Sequence, residues 1–392
     1  MPSKPTRPLK KYSPFNNPLR VVNSSDYRAT RRSRAMLSSF LGPNVLWQWY
    51  APTPEVRGRG RTDSFSDSTI RSLLAVKLAF GLSFSGVIGM VGDHFRLRRV
   101  KAKIPSEPTL SRRGIKLGIQ IERSTGTTGG VWIMPEALNN KDVSRGVVVD
   151  STGISIRGAG TWRTCRPHGR EEGIGIRRRW RKLHLCVDPE SGVVLAAAVT
   201  DSNTGDSAVG VEILAALRAA GVSVHTVAAD GAYDSRHFYK ACVTTGATQV
   251  LVPPIKGAGV WPDSGAKAVI GAEIRNHHWS CIHRTDPDEA AERKKLWKVE
   301  VGYHIRSLIE TAMSRLARAT GNKCRMRSEE GQLAEIHSMV HLLNRHARIG
   351  MPKRFKRAWS STKGCVHPTR SLTWGSKEGA VGYLRDHAVL LV

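Results

Sequence analysis

The sequence predicts an α/β fold, a mixed sheet flanked by helices, with an N-terminal all-helical domain and basic tails. Two patterns carry that prediction. Apolar runs of strand length at 147–150, 183–188 and 193–200 follow one another and then give way to alternating helix and strand patterns. Ahead of them, residues 37–118 show helical spacing only.

Taken in order, residues 1–36 hold nine Lys or Arg, one Asp and five Pro. They bury little, and read either as a basic arm that orders on a partner or as a solvated tail. Within 37–118, Ser66-Asp67-Ser68 caps a helix over 69–80 that Gly81 closes, and Ser83-Phe84-Ser85 opens a second through 90–95. With the stretch Pro108-Thr109-Leu110-Ser111-Arg112-Arg113-Gly114, this is either a helix-turn-helix reader of DNA ends or a plain bundle for packing or dimerisation. The three apolar runs are then followed by a helix over 206–220 that Gly221 ends, a strand at 224–230, a helix at 235–245 and a strand at 248–253. Three strands in antiparallel succession followed by helix–strand alternation is the order of a ribonuclease H-like fold, and its domain is placed at 140–350. The pattern weakens over 254–300, which reads as an insertion with loop signals. Helical periodicity returns at 303–319, a span without Gly or Pro, and again at 330–344. Residues 345–370 hold eight Lys or Arg and no acid, so 351–392 is expected to be a basic tail, either a DNA contact or a solvated face.

The 392 residues are 40% apolar, enough for a substantial core. Sixty-one Lys and Arg against thirty-two Asp and Glu leave a net charge of +29, a balance that self-repels unless a polyanion is the usual partner. Nucleic acid fits; a membrane surface does not, because the charge is spread along the chain and no amphipathic basic helix stands out. Six cysteines without a Cys-x-x-Cys pair suit a reducing compartment. No apolar run spans a bilayer and the N-terminus has no secretion core, so a cytoplasmic protein is expected.

Asp150 closes the run Val147-Val148-Val149, Asp230 closes Val224-His225-Thr226-Val227-Ala228-Ala229, and Glu310 lies in the helical span 303–319. Two strand-end carboxylates and one on a helix form a hard-oxygen set that suits a pair of magnesium ions about 4 Å apart for phosphoryl transfer. Taken singly, each has a duller explanation in a turn or a solvated helix face. Tyr303 and Arg306 share the helix face of Glu310 at 100° per residue. Arg306 is expected to grip a phosphate and Tyr303 to stack on or bond to a flanking nucleotide, against the alternative of a surface ion pair. Between the first two strands, Arg163, Arg166, Arg170, Arg177, Arg178, Arg179, Arg181 and Lys182 form a dense basic connection expected to track a phosphate backbone. His184 and Asp188 beside it are expected to be structural or to meet the DNA backbone, and not to be metal ligands.

Val148-Val149-Asp150-Ser151-Thr152-Gly153, Arg181-Lys182-Leu183-His184, Thr200-Asp201-Ser202-Asn203-Thr204-Gly205-Asp206, Ala229-Asp230-Gly231-Ala232-Tyr233-Asp234 and Tyr303-His304-Ile305-Arg306-Ser307-Leu308-Ile309-Glu310 together resemble the DDE transposases of bacterial insertion sequences, specifically the insertion sequence 5 family. The likeness covers about 50–352. It implies Asp150, Asp230 and Glu310 as the catalytic metal ligands, with two Mg2+ ions for which Mn2+ substitutes. It also implies cleavage of double-stranded DNA at terminal inverted repeats, joining of the 3′ hydroxyl to target DNA, a homodimer or higher synaptic assembly, and a place at the bacterial nucleoid. The family's helix signature, Tyr-x2-Arg-x3-Glu-x6-Lys, is matched at Tyr303, Arg306 and Glu310. Its Lys is replaced by Ala317, so either Arg318 supplies the cation or end-binding is weakened.

Other readings have less behind them. His277, His278, Cys281 and His283 cluster without a common zinc spacing, and no Gly-x-Ser-x-Gly elbow supports a serine hydrolase. A degenerate, non-catalytic end-binding protein and a structure-selective nuclease of the same fold remain the alternatives to an active transposase, and an activity assay separates them.

Overall fold

The computed structural model describes residues 20–21, 24–52, 64–124, 130–134, 145–156, 180–265, 268–283, 290–351 and 354–355. The chain divides into two compact units, one of residues 32–350 and one of residues 1–31 with 351–392. In the smaller unit, β1 (Arg20–Val21) pairs antiparallel with the last described strand, Arg354–Phe355. Next in the chain is α1 (Ser24–Arg34), whose last three residues are counted with the larger unit.

The larger unit begins with short helices α2 (Leu37–Phe40) and α3 (Pro43–Trp47). Next come α4 (Asp67–Ala79) and α5 (Phe84–Leu97), which start at the caps the sequence predicts. Ser66 accepts from the Thr69 amide at 3.1 Å and Ser83 from the Gly86 amide at 3.1 Å. The basic stretch that follows is itself part of a helix, α6 (Glu107–Ser124). Pro108 is tolerated there because first-turn amides have no intrahelical acceptor. Arg113 is buried in this helix and pairs with Asp67 at 2.5 Å. Gly118 meets a later helix so closely that a Cβ would stand 2.7 Å from the Ala334 Cα, which only glycine permits.

The sheet follows: β2 (Trp132–Ile133), β3 (Arg145–Ile156), β4 (Trp180–Val187), β5 (Val194–Asp201), then α7 (Asp206–Ala219), β6 (Val224–Ala228), α8 (Arg236–Thr244) and β7 (Gln249–Leu251). After these come α9 (Ala272–His283), α10 (Ala290–Glu300), α11 (Ser307–Thr320), β8 (Lys323–Cys324) and α12 (Glu329–Ile349). Among the described residues the strand order is β2-β5-β4-β3-β6-β7, with β8 also on β3. β3, β4 and β5 form an antiparallel meander, while β6 runs parallel to β3 and β7 parallel to β6. This is the ribonuclease H-like arrangement.

Alternation along the strands splits the core into two layers. Val148, Leu183, Leu185 and Ala197 face a cluster shared with α4, α5, α11 and α12, whereas Val147, Val149, Cys186 and Ala196 face α7 and α8. The N-terminal helices therefore share a unit and a core with the sheet, where the sequence suggested a boundary near 118. A buried ion pair, Lys77 Nζ to Glu335 Oε1 at 3.3 Å, adds to that union. Among the described residues no single helix is long and apolar enough to cross a membrane.

The weakly patterned insertion holds a helix pair, α9 and α10, after an irregular stretch that includes the expected loop at 256–259. His278 of α9 is central to it. Trp297 Nε1 donates to its Nδ1 at 3.0 Å, so Nε2 carries the proton and donates to the Val250 carbonyl at 2.9 Å. Burial lowers the His278 pKa to about 4. An unfolded imidazole protonates near pH 6.5, so between pH 6.5 and 4 the unfolded chain binds a proton that the folded chain refuses, and stability falls with pH over that window. The loss reaches up to about 3 kcal/mol. Urea titrations from pH 7 to 5 are expected to give a shallower pH dependence for His278→Gln than for the native chain; coincident slopes would count against this assignment.

Candidate active site

Register explains why two aspartates meet. β3 and β6 pair in parallel with Val148 opposite Ala228, and an aspartate stands two residues on from each, Asp150 within β3 and Asp230 in the turn after β6. β6 ends there, and the next partner on that side of β3 is β8 at Ser155. The edge between is a notch at the carboxyl ends of parallel strands, where α/β sheets commonly open a site. Asp150 itself is not a strand end, because β4 continues to pair beyond it, from Ser151↔His184 to Ser155↔Trp180.

The helix-borne acid arrives through an irregular start. Gly302 takes a left-handed conformation at φ 70°, Tyr303–Arg306 forms a 3-10 turn, and α11 begins only at Ser307. Arg306 then reaches all three acids. Its Nη2 lies 2.8 Å from Asp150 Oδ2 and 3.9 Å from Asp230 Oδ2, and its Nη1 hydrogen-bonds Glu310 Oε1. Two of the acids are also fixed by backbone: the Ser151 amide donates to Asp150 Oδ1 at 2.8 Å, and the Ala232 amide to Asp230 Oδ1 at 2.9 Å.

Asp150 is 9% exposed. Burial raises its carboxyl pKa above the usual range, and the Asp230 and Glu310 charges push the same way against the Ser151 amide and Arg306. Three carboxylates and one guanidinium sum to −3 + 1 = −2, so the corner has room for more positive charge. Its donors are hard oxygens, the type that Mg2+ and Mn2+ prefer. Among the described residues no three His, Cys, Asp or Glu are drawn tightly enough for one ion; the carboxylates span a guanidinium instead. The donor set fits divalent ions once Arg306 turns aside.

Tyr303 has partners within the protein. Its hydroxyl donates to the Ala229 carbonyl at 3.1 Å, directly before Asp230, and its ring lies 5.3 Å from that of Trp297. Burial pushes its pKa up to about 12. Arg181 and Lys182 also have internal partners. Arg181 bonds Asp201 at 2.5 Å and Glu329 at 2.7 Å, while Lys182 bonds Asp206 at 3.0 Å; their side chains are 18% and 17% exposed. Arg318 is exposed and donates to the Ser314 carbonyl at 3.1 Å, and Ala317 is half-buried. Arg163, Arg166, Arg170, Arg177, Arg178 and Arg179 lie outside the described residues. His184 is buried against Thr200 at 2.9 Å, and burial lowers its pKa to about 4. Asp188 caps a turn through Glu190 and Ser191. Sequence reading missed Arg275 and Trp297, which lie in the insertion where no periodic signal marks them.

Residues 141–345, more than half of the chain, match the family model described as the transposase DDE domain, and residues 32–159 match a second model of the same description. The chain belongs to the DDE transposase domain family: it is a transposase enzyme, catalysing DNA cleavage and strand transfer with divalent metal. Solved structures similar to it include the Drosophila P element transposase strand transfer complex, at 11% identity over 82% of this chain and 71% of that one, with a TM-score of 0.28. The Mos1 strand transfer complex is similar at 13% identity over 70% and 83%, with a TM-score of 0.21. The Mos1 transposase paired-end complex with left transposon end is similar at 13% identity over 76% and 82%, with a TM-score of 0.19.

If Arg306 is the cation that neutralises the corner, Arg306→Gln leaves the three acids facing one another. Its melting temperature in EDTA is expected to fall by the equivalent of more than about 1 kcal/mol. Millimolar Mn2+ is then expected to raise the melting temperature of the variant more than that of the native chain, because no guanidinium competes. Equal metal shifts would remove Arg306 from that role.

Proposed function

We propose that this chain cleaves double-stranded DNA at the terminal inverted repeats of its own mobile element and joins the freed 3′ ends to target DNA, as a bacterial transposase of the insertion sequence 5 family. The observation that carries this is the convergence of Asp150, Asp230 and Glu310, from two strands and a helix, on the single guanidinium of Arg306. The three carboxylates are proposed to hold two Mg2+ ions, with Mn2+ able to substitute. When bound, the metal supplies activation of the attacking hydroxyl and neutralisation of the leaving oxygen. The protein's own part is to hold the acids: the Ser151 and Ala232 amides orient the two aspartates, and Tyr303 ties down the residue before Asp230. Arg306 is well placed to pass from the carboxylates to a DNA phosphate once metal binds. Water attacks first and the 3′ hydroxyl second, both displacements at phosphorus and without a covalent protein intermediate.

DNA also needs a surface. α4 and α5 are bent by 108° across Phe80-Gly81-Leu82-Ser83, with Gly81 at φ 66°. That is within the about 90–120° of helix-turn-helix pairs. Just beyond α5, Arg98, Arg99, Lys101 and Lys103 are exposed. Their segment is pinned by Trp49 Nε1 on the Lys103 carbonyl at 2.8 Å and by the Lys103 amide on the Tyr50 hydroxyl at 3.0 Å. We assign this segment to the phosphate backbone of the element end, and a dimer or larger assembly to the pairing of two ends.

The DNA flanking the gene supplies the test substrate. In Mg2+, the native chain is expected to nick and transfer repeat-end DNA, whereas Asp150→Asn, Asp230→Asn and Glu310→Gln each lose at least about a thousandfold in rate, in the range of a loss of metal-based transition-state stabilisation. Repeat binding in EDTA is expected to persist in all three. Binding without cleavage by the native chain would establish the degenerate reading, and cleavage of branched DNA without repeat preference would establish a nuclease.

Neutralising Arg98 and Arg99 is expected to weaken repeat binding and to flatten the log–log salt slope by about two units, one for each lost phosphate contact. An unchanged slope in a salt titration would take this segment off the DNA.

A further inference from the structure

We propose that Arg275 is a positioning residue for Asp230, acting through Asp234. The proposal rests on the reading of Asp230 as a metal ligand.

Asp230 and Asp234 bound one tight turn. Asp230 caps the 3-10 turn Gly231–Tyr233 at its start and Asp234 follows it at its end, with the Tyr233 amide on the Asp230 carbonyl at 3.1 Å and the Asp234 amide on the Gly231 carbonyl at 3.1 Å. The start of the turn is tethered from both sides. The Ala229 amide donates to Leu251 at 3.2 Å, and the Ala229 carbonyl takes the Tyr303 hydroxyl. Among the described residues the far end has one charged anchor. Arg275 Nε and Nη2 each lie 3.2 Å from an oxygen of Asp234, in a fork with side chains 0% and 1% exposed respectively.

Arg275 is itself immobilised. Its guanidinium lies 4.6 Å from the Trp261 ring centroid, and Nη1 donates to the Gly259 carbonyl. Beside it, Asn276 bonds both the amide and the carbonyl of Trp261, at 2.9 and 2.7 Å, and Trp279 donates to Ala258 at 2.6 Å. α9 thus clamps the 255–261 segment, whose Ile255 amide donates to Asp234 at 3.0 Å. Gly231 packs on Pro253 so closely that a Cβ would stand 3.3 Å from its carbonyl oxygen.

A dry ion pair is a costly way to gain stability, since apolar residues of like volume often serve as well. What a bidentate fork adds is direction. An arginine fork fixes both oxygens of Asp234 and so the angle of the turn, and with it where the Asp230 carboxylate points. Partners that orient a metal ligand typically matter tenfold to a hundredfold in metal affinity.

The experiment uses the full chain and Mn2+ as the probe, read by isothermal titration, alongside repeat-end binding in EDTA and thermal melting. Arg275→Lys keeps the charge and loses the fork. It is expected to weaken Mn2+ binding at least tenfold, while repeat binding in EDTA stays within twofold. Trp261→Leu, which leaves the ion pair but removes the ring that holds the guanidinium, is expected to weaken Mn2+ binding by a smaller factor, and it serves where Arg275→Lys does not fold. A merely structural role would lower the folded fraction and leave the Mn2+ dissociation constant unchanged in both variants, which overturns the proposal. Asp230→Asn separates the two levels. If it abolishes Mn2+ binding while the Arg275 and Trp261 variants bind normally, only the brace is wrong; if it leaves Mn2+ binding intact, the metal reading falls and the proposal with it.

Discussion

Three carboxylates in one partly dry corner repel one another, and the guanidinium of Arg306 is what lets the folded chain keep them together. Its two terminal nitrogens serve acids from β3, from the turn after β6 and from α11, elements far apart in the chain. Removing charged groups from water carries a cost that opposite charge at contact offsets only when geometry is good. The geometry here rests on the parallel register of β3 and β6: Val148 opposite Ala228 sets Asp150 beside Asp230. A slip of one residue would turn Asp230 to the other face and leave Arg306 with too few partners.

How much of this was legible in sequence depends on how far each interaction reaches. The two aspartates could be found because apolar runs stop at them, and Glu310 because it shares a helix face with Tyr303 and Arg306. That Asp150 lies mid-strand could not, since Ser151-Thr152-Gly153 reads as a turn and is held in β3 by pairing with His184, Leu183 and Lys182 in that order. The span 303–319 reads as one helix because nothing in it breaks periodicity. The 3-10 start shows only in the fold, where Tyr303 turns to the Ala229 carbonyl. Arg181 and Lys182 were visible as charge, but their acidic partners Asp201, Glu329 and Asp206 are distant in sequence, so density of cations alone overstated what is free for DNA.

The insertion escaped for a different physical reason. Hydrophobic periodicity detects helices that are held by apolar packing on one face. α9 is held in large part by polar side chains on backbone: Arg275, Asn276 and Trp279 reach the 255–261 segment, and His278 reaches β7. Such a helix leaves no apolar stripe to read. Only Asp234, four residues after an aspartate already singled out, stood in a recognisable motif, and its arginine lies 41 residues further on.

Rigidity is also shared unequally among the three acids. Asp150 and Asp230 each take a backbone amide from one or two residues onward, so their orientation follows from the strand and the turn whatever Arg306 does. Glu310 is exposed in the first turn of α11, and among the described residues its carboxylate is held by Arg306. The two aspartates are thus preorganised by the sheet, while the glutamate is adjustable along its longer side chain. In the proposed exchange of Arg306 for metal both properties serve: the fixed donors set the position, and the longer side chain adjusts without the sheet having to move.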